Sequence, residues 1–193
     1  MALPSLSSRI SRSVPEKAEQ MKELVSFRIG REDFGVDILM VQEIIRLPEV
    51  TPIPNAPGFI VGVINLRGRI IPVVDLRQRL KIPGNAPEGD SRKTRILIVE
   101  INSHVTGFIV DTVVGILKAP ASEIEPTPDL VSSNIDAEYV TGVIKLPGRL
   151  IILLDFLKIL RPQEKKVLDD FEKYTIEGEL EEEEYEQGLP VRN

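Results

Sequence analysis

Short apolar stretches separated by polar, Gly- or Pro-containing turns dominate the chain, and the period of those stretches predicts strands. Residues 24–29 (LVSFRI) and 34–38 (FGVDI) are of strand length and flank the polar turn 30–33, which predicts a hairpin. Residues 39–45 (LMVQEII) are expected to open as a helical turn and continue as a strand. Four consecutive apolar residues, Ile38 to Val41, cannot all point inward, so at least one is expected to face outward. Pro48, Pro52, Pro54 and Pro57 then impose an extended loop. Residues 60–66 and 69–74 predict a second hairpin around Arg67-Gly68, and 75–80 a short helix with Asp75 as N-cap. After a polar loop at 81–93 come strands at 94–101, 105–110 and 112–117, with the turn 102–104 between the first two. A Pro-rich linker at 119–131 leads to a third hairpin, 140–146 with 149–154, and to a short helix at 155–160 capped by Asp155.

This grammar divides the chain into an N-terminal arm (1–23), a β-rich body (24–162) and a charged tail (163–193). The arm mixes Ser, Pro, Arg and Glu without apolar periodicity, so it is expected to be flexible. In the tail, residues 164–174 carry the pattern of one amphipathic helix, and the rest is expected to be disordered.

Inside the body, residues 59–80 (FIVGVINLRGRIIPVVDLRQRL) and 139–160 (YVTGVIKLPGRLIILLDFLKIL) align without a gap, with nine identities in 22 positions. Composition alone gives roughly one or two. Gly35-Val-Asp-Ile38 matches Gly107-Phe-Ile-Val110 more weakly. The expected fold class is therefore mostly β: a duplicated unit of about five strands and a closing helix. Each copy is expected to hide its apolar face by curling into a barrel, with a groove between the two barrels.

Charge and composition narrow the chemistry. The tail holds eleven acids against four bases, which leaves the other 162 residues nearly neutral. Nucleic acid needs a basic surface, so it is not an expected partner. No apolar run is long enough to span a bilayer, and the N-terminus lacks the apolar stretch of a secretory signal, so a cytoplasmic protein without membrane insertion is expected. The absence of cysteine removes disulfides and thiolate metal sites, and His104 is the sole histidine. No cofactor or metal is expected, and no nucleophile or phosphate-loop motif occurs. Asp37, Asp75, Asp111 and Asp155 are carboxylates beside apolar strands, and a convergent pair of them is the one route to acid–base catalysis. Helix capping accounts for Asp75 and Asp155, and strand-edge structural roles for Asp37 and Asp111. His104 reads as a solvated turn residue. Arg67 is less easily explained, because the turn requires only the glycine and its repeat counterpart is Pro147; a partner-binding role is expected for it.

The run Gly62-Val-Ile-Asn-Leu-Arg-Gly-Arg-Ile-Ile-Pro-Val-Val-Asp-Leu76 resembles the CheW family of bacterial chemotaxis coupling proteins. Phe34-Gly-Val-Asp-Ile-Leu-Met-Val-Gln-Glu-Ile44 resembles the preceding family motif, and residues 105–115 and 141–154 fit later strands in the same order. The resemblance spans about residues 24–160. It implies two intertwined five-stranded SH3-like barrels and no enzymatic activity. It also implies two partners, the signalling tip of a chemoreceptor and the regulatory domain of the histidine kinase CheA, met in membrane-associated arrays. By motif position it assigns receptor contact in an inter-barrel groove to Val36, Leu39, Glu43 and Val110, and receptor or kinase contact to Asn65, Arg67 and Gly68. Two alternatives remain: a paralogue serving a chemotaxis-like pathway, and a double barrel that encloses a small molecule.

Overall fold

A computed structural model describes residues 19–54, 56, 58–83, 91–101, 104–127, 135 and 137–160. The expected acidic tail, its helix at 164–174, the arm up to residue 18, and positions 102–103 of the expected turn lie outside the described residues. Among the described residues, eleven strands follow in order: β1 (Met21–Ile29), β2 (Glu32–Asp37), β3 (Val41–Arg46), β4 (Ile60–Leu66), β5 (Arg69–Asp75), β6 (Arg95–Ile101), β7 (His104–Val110), β8 (Thr112–Pro120), β9 (Ile124–Glu125), β10 (Val140–Leu146) and β11 (Arg149–Leu154). Two single-turn helices, α1 (Leu76–Arg79) and α2 (Phe156–Ile159), close the two copies of the repeat. A 3-10 turn at Ile38–Met40 precedes β3, as its mixed pattern suggested.

Three expected boundaries differ. β1 begins at Met21, within the span read as an arm, and β8 runs on to Pro120, into the span read as a linker. These ends stabilise each other: Met21 pairs with Pro120 and Lys22 with Ala119. Such pairing gives backbone groups partners that local propensity does not signal. His104 opens β7 opposite Ile101 instead of occupying a loose turn.

The strands form a six-stranded sheet ordered β8-β1-β2-β11-β10-β9 and a five-stranded sheet ordered β3-β6-β7-β5-β4. The sixth strand, β9, adds to the expected five; it has only two residues and pairs with Ile144 and Val143. Its counterpart in the other sheet is the single bridge Thr51–Val63. Each sheet also draws on both copies of the repeat. β1 and β2 of the first copy join β8–β11 of the second, and β6 and β7 of the second join β3–β5 of the first. The copies have exchanged their opening hairpins, so neither can form its sheet alone.

Three apolar clusters follow from this layout. Ile64, Ile71, Val73, Ile96, Ile98 and Val105 fill the five-stranded sheet's own interior. Leu24, Ala119, Ile144, Ile151 and Leu153 fill that of the six-stranded sheet. The largest cluster lies between the two and takes Phe27, Phe34 and Val36 from one sheet and Leu97, Phe108 and Val110 from the other. Arg79 crosses the same boundary. Its Nε donates to the Ile159 carbonyl at 2.6 Å, and its guanidinium lies 5.1 Å from the Phe59 ring centroid and 5.0 Å from that of Tyr139. Phe59 and Tyr139 are equivalent positions of the repeat. Arg79→Met is expected to cost about 2–3 kcal/mol in chemical denaturation, because it abolishes a charge-assisted hydrogen bond and two cation–π contacts in a dry site.

Candidate functional site

Each of the four aspartates has a local structural partner. Asp75 Oδ1 accepts from the backbone N–H of Arg77 at 2.8 Å and of Gln78 at 3.3 Å, and Asp155 Oδ1 accepts from that of Leu157 at 3.0 Å. Each caps its own helix, on a different sheet. Asp37 caps the 3-10 turn through the Leu39 N–H at 3.0 Å. Asp111 accepts from the Gly30 N–H at 2.6 Å and pairs with the buried guanidinium of Arg77. Among the described residues, no group of three or more His, Cys, Asp or Glu is placed to hold a metal ion.

The β4–β5 turn shows why Arg67 stands out. Leu66 pairs with Arg69, which leaves Arg67 and Gly68 as a two-residue loop with φ of 57° and 81°. Positive φ at both positions defines a type I′ turn, whose twist suits a hairpin but costs a non-glycine residue about 1 kcal/mol. The equivalent turn at Pro147-Gly148 needs positive φ only at Gly148. Asn65 Oδ1 holds the first turn by accepting from the Gly68 N–H at 2.9 Å. The Arg67 side chain, 77% exposed, reaches across to β3 and donates from Nη2 to Glu43 Oε1 at 3.0 Å. Asn65, Arg67, Gly68 and Glu43 thus share one surface, joining one of the expected receptor contacts to the expected receptor-or-kinase set. Arg67→Gly is expected to leave stability within about 1 kcal/mol, since relief of the positive φ offsets the loss of an exposed ion pair. Thermal denaturation checks this, and a large loss would give Arg67 a structural role.

Val36 and Val110 are both 1% exposed and lie in the cluster between the sheets. The reason is the inter-sheet space itself: side chains from both sheets fill the expected groove at these positions. Leu39 is the opposite, 91% exposed at the tip of the 3-10 turn. Met21, Leu39, Ile44, Val114 and Ile116 make up most of the large apolar side chains left open to solvent among the described residues. Ile116 matters most among those not anticipated. It pairs with Val25, which pairs with Val36, so one apolar row runs from the buried cluster across β2 and β1 to the exposed strand β8. Val41 and Val113, half-buried against the same cluster, continue its rim. Even apolar content across 113–117 hid this in the sequence, because it does not reveal which side of β8 faces out. Beside Leu39 lies a shallow cavity of about 270 Å³ lined by Met21, Asp37 and Ile38.

Val36→Asp and Leu39→Asp should therefore part company. Val36→Asp buries an unpaired charge and is expected to cost more than about 4 kcal/mol, whereas Leu39→Asp is expected to cost under about 0.5 kcal/mol. Urea denaturation followed by circular dichroism distinguishes them.

Comparison with known proteins adds the lineage. The family model of the CheW-like domain matches residues 23–164. The chemotaxis protein CheW of Klebsiella aerogenes is 37% identical over 152 residues, covering 79% of this chain and 89% of that protein. CheW of Rhizobium meliloti is 35% identical over 145 residues, covering 75% and 91%. Protein FrzA of Myxococcus xanthus is 33% identical over 159 residues, covering 81% and 96%. Among solved structures, the scaffolding protein TtCheW of Thermoanaerobacter tengcongensis aligns with a TM-score of 0.68 at 34% identity, covering 79% of this chain and 96% of that one.

Proposed function

We propose that this chain, which belongs to the CheW family of non-enzymatic chemotaxis adaptors, couples the cytoplasmic signalling tip of a chemoreceptor to the regulatory domain of the histidine kinase CheA. The observation that carries the reading is the apolar row that leaves the inter-sheet cluster and surfaces at Ile116, together with Leu39 standing fully in solvent. A receptor tip is a helical hairpin, and an amphipathic helix binds by setting apolar anchors against such a surface. Leu39 and Ile116 are its anchors here, with Val41 and Val113 at the rim. Val36 and Val110 act behind them as packing. Glu43 and Arg67 supply the charged element that fixes register more than affinity.

The turn Asn65-Leu66-Arg67-Gly68 serves the receptor or the kinase. A non-glycine residue kept at positive φ, with its side chain mostly in solvent, is the kind of local strain that accompanies contact surfaces. Residues 24–162 are the coupling domain on this reading, flanked by 1–23 and 163–193, and the protein works in the cytoplasm at membrane-associated arrays. No helix among the described residues is long and apolar enough to cross a membrane, so attachment to an array falls to the partners.

Co-sedimentation with receptor-bearing membranes tests the residue assignment. Leu39→Asp and Ile116→Asp are each expected to weaken receptor association at least tenfold, a loss of about 1.4 kcal/mol or more, with circular dichroism unchanged. Wild-type sedimentation of both folded variants would remove the assignment. A second reading is a coupling paralogue in a chemotaxis-like pathway; the receptors that co-purify with the chain separate the two.

A further inference from the structure

The two sheets are built from equivalent strands but do not line their interiors alike. Pairing register sets β1 and β2 against β6 and β7: Leu24 faces Asp37 as Ile96 faces Ile109, Ser26 faces Gly35 as Ile98 faces Gly107, and Arg28 faces Asp33 as Glu100 faces Val105. In the five-stranded sheet Ile98, Val105 and Ile109 all belong to the apolar interior. Their counterparts in the six-stranded sheet are Ser26, Asp33 and Asp37. Three branched apolar side chains give way to three short polar ones along one interior face.

The exchange leaves room. A Cβ on Gly107 would meet the side chain of Ile96 at 2.8 Å and that of Ile98 at 3.6 Å, whereas at Gly35 the three nearest atoms come from Leu153, Ile151 and Leu24. Ser26, beside Gly35 in the ladder, is 4% exposed, and its hydroxyl has no hydrogen-bond partner among the described residues. A cavity of about 330 Å³ lies at this end of the sheet, with Leu24, Gly35, Met40, Leu153, Leu154 and Phe156 in its walls. That volume falls within the range of small-molecule pockets, roughly 300–1,000 Å³. Neither Leu39 nor Ile116 lines it.

The polar groups of the cavity decide what it can hold. Asp37 and Asp155 bring carboxylates, Lys22 an ammonium and Thr141 a hydroxyl. Each aspartate commits Oδ1 to a backbone N–H. Each Oδ2 meets a lysine at the surface: Lys22 Nζ stands 3.9 Å from Asp37, and Lys158 Nζ 3.4 Å from Asp155. These lysines are 41% and 58% exposed, so the pairs are weak and open to competition. Thr141 Oγ1 donates to the Leu153 carbonyl at 3.4 Å, which leaves its lone pairs to accept. Acceptors therefore outnumber donors around an apolar space. We propose that this cavity binds a small organic cation, with an ammonium group taken by Asp37 and Asp155 in competition with the lysines, and a short apolar body against Met40, Leu153 and Phe156. Such a site gives the adaptor a small-molecule input of its own, and it stands whichever partners the chain couples.

The methyl group of Met40, one of three methionines in the chain, reports on the cavity by NMR in the full-length protein. Isopentylamine, cationic at neutral pH as a lysine side chain is, is compared with isopentyl alcohol and isovalerate, which share its body. The amine is expected to shift the Met40 signal saturably, and the alcohol and the acid to bind at least about tenfold more weakly, the difference that a hydrogen bond to a charged group makes. Asp37→Asn keeps the cap on Leu39, because Asn is as good an N-cap as Asp, and is expected to weaken the amine about tenfold. Lys22→Met removes a competitor and is expected to strengthen it. Equal binding of amine and alcohol would reduce the site to apolar filling and overturn the proposal. So would tighter binding of isovalerate that is lost in Lys22→Met, which would make the ligand an anion, and so would a Met40 signal that none of the three compounds moves.

Discussion

Asp111→Ala is expected to destabilise the protein by about 3–5 kcal/mol, because it strands a buried guanidinium. The Arg77 and Asp111 side chains are 5% and 14% exposed. The substitution also takes the acceptor from the Gly30 N–H. Arg77→Leu alone does comparable damage from the other side, leaving a half-buried carboxylate without its cation. The double variant Arg77→Leu/Asp111→Leu should recover about half of the loss or more, since paired replacement of a buried ion pair by apolar residues is often close to neutral. Urea denaturation of the wild type, both singles and the double completes the cycle. Additive losses would show that the ion pair is not the interaction at stake.

Gly62→Ala is the second severe substitution, expected to cost about 3 kcal/mol through lost bridge hydrogen bonds and backbone strain. A Cβ at this position would lie 2.1 Å from the Thr51 carbonyl oxygen and 2.8 Å from its carbon, both backbone atoms, with φ at +155°. The neighbouring bridge consists of two hydrogen bonds between Thr51 and Val63, each 2.9 Å. It joins the segment after β3 to β4, the two edges of the five-stranded sheet, so forcing it apart opens that barrel. Gly68→Ala separates crowding from conformation. It has φ of +81° but nothing within 4 Å of its Cβ, and should lose only about 1 kcal/mol. Equal losses at the two positions would contradict the role given to the close approach. Gly142, the repeat partner of Gly62, would meet the Glu125 carbonyl at 2.7 Å and should behave like it.

What could be read from the sequence was local. Asp75 and Asp155 were legible as caps because a cap is decided within three residues, and Arg67-Gly68 as a turn for the same reason. Leu39 was half legible, since one of Ile38 to Val41 had to face out. The exchange of opening hairpins was not, because parallel pairing of β2 with β11 and of β5 with β7 joins segments far apart in the chain. The burial of Val36 and Val110 was hidden for a related reason. β2 is buried along most of its length, Asp33 to Val36, and β7 along nearly all of its own. A strand buried on both faces carries no alternation from which to read its outward side. The duplication of 59–80 in 139–160 was plain, while that of β1–β3 in β6–β8 showed only weakly, at 35–38 against 107–110, because few identities survive there.

The coupling role itself is tested most directly by capturing the full-length chain on two immobilised fragments, a CheA regulatory domain and a chemoreceptor signalling tip from the same organism. The account predicts retention on both, with Leu39→Asp lost from the receptor tip and kept on the kinase fragment. A folded wild-type chain retained by neither would contradict it.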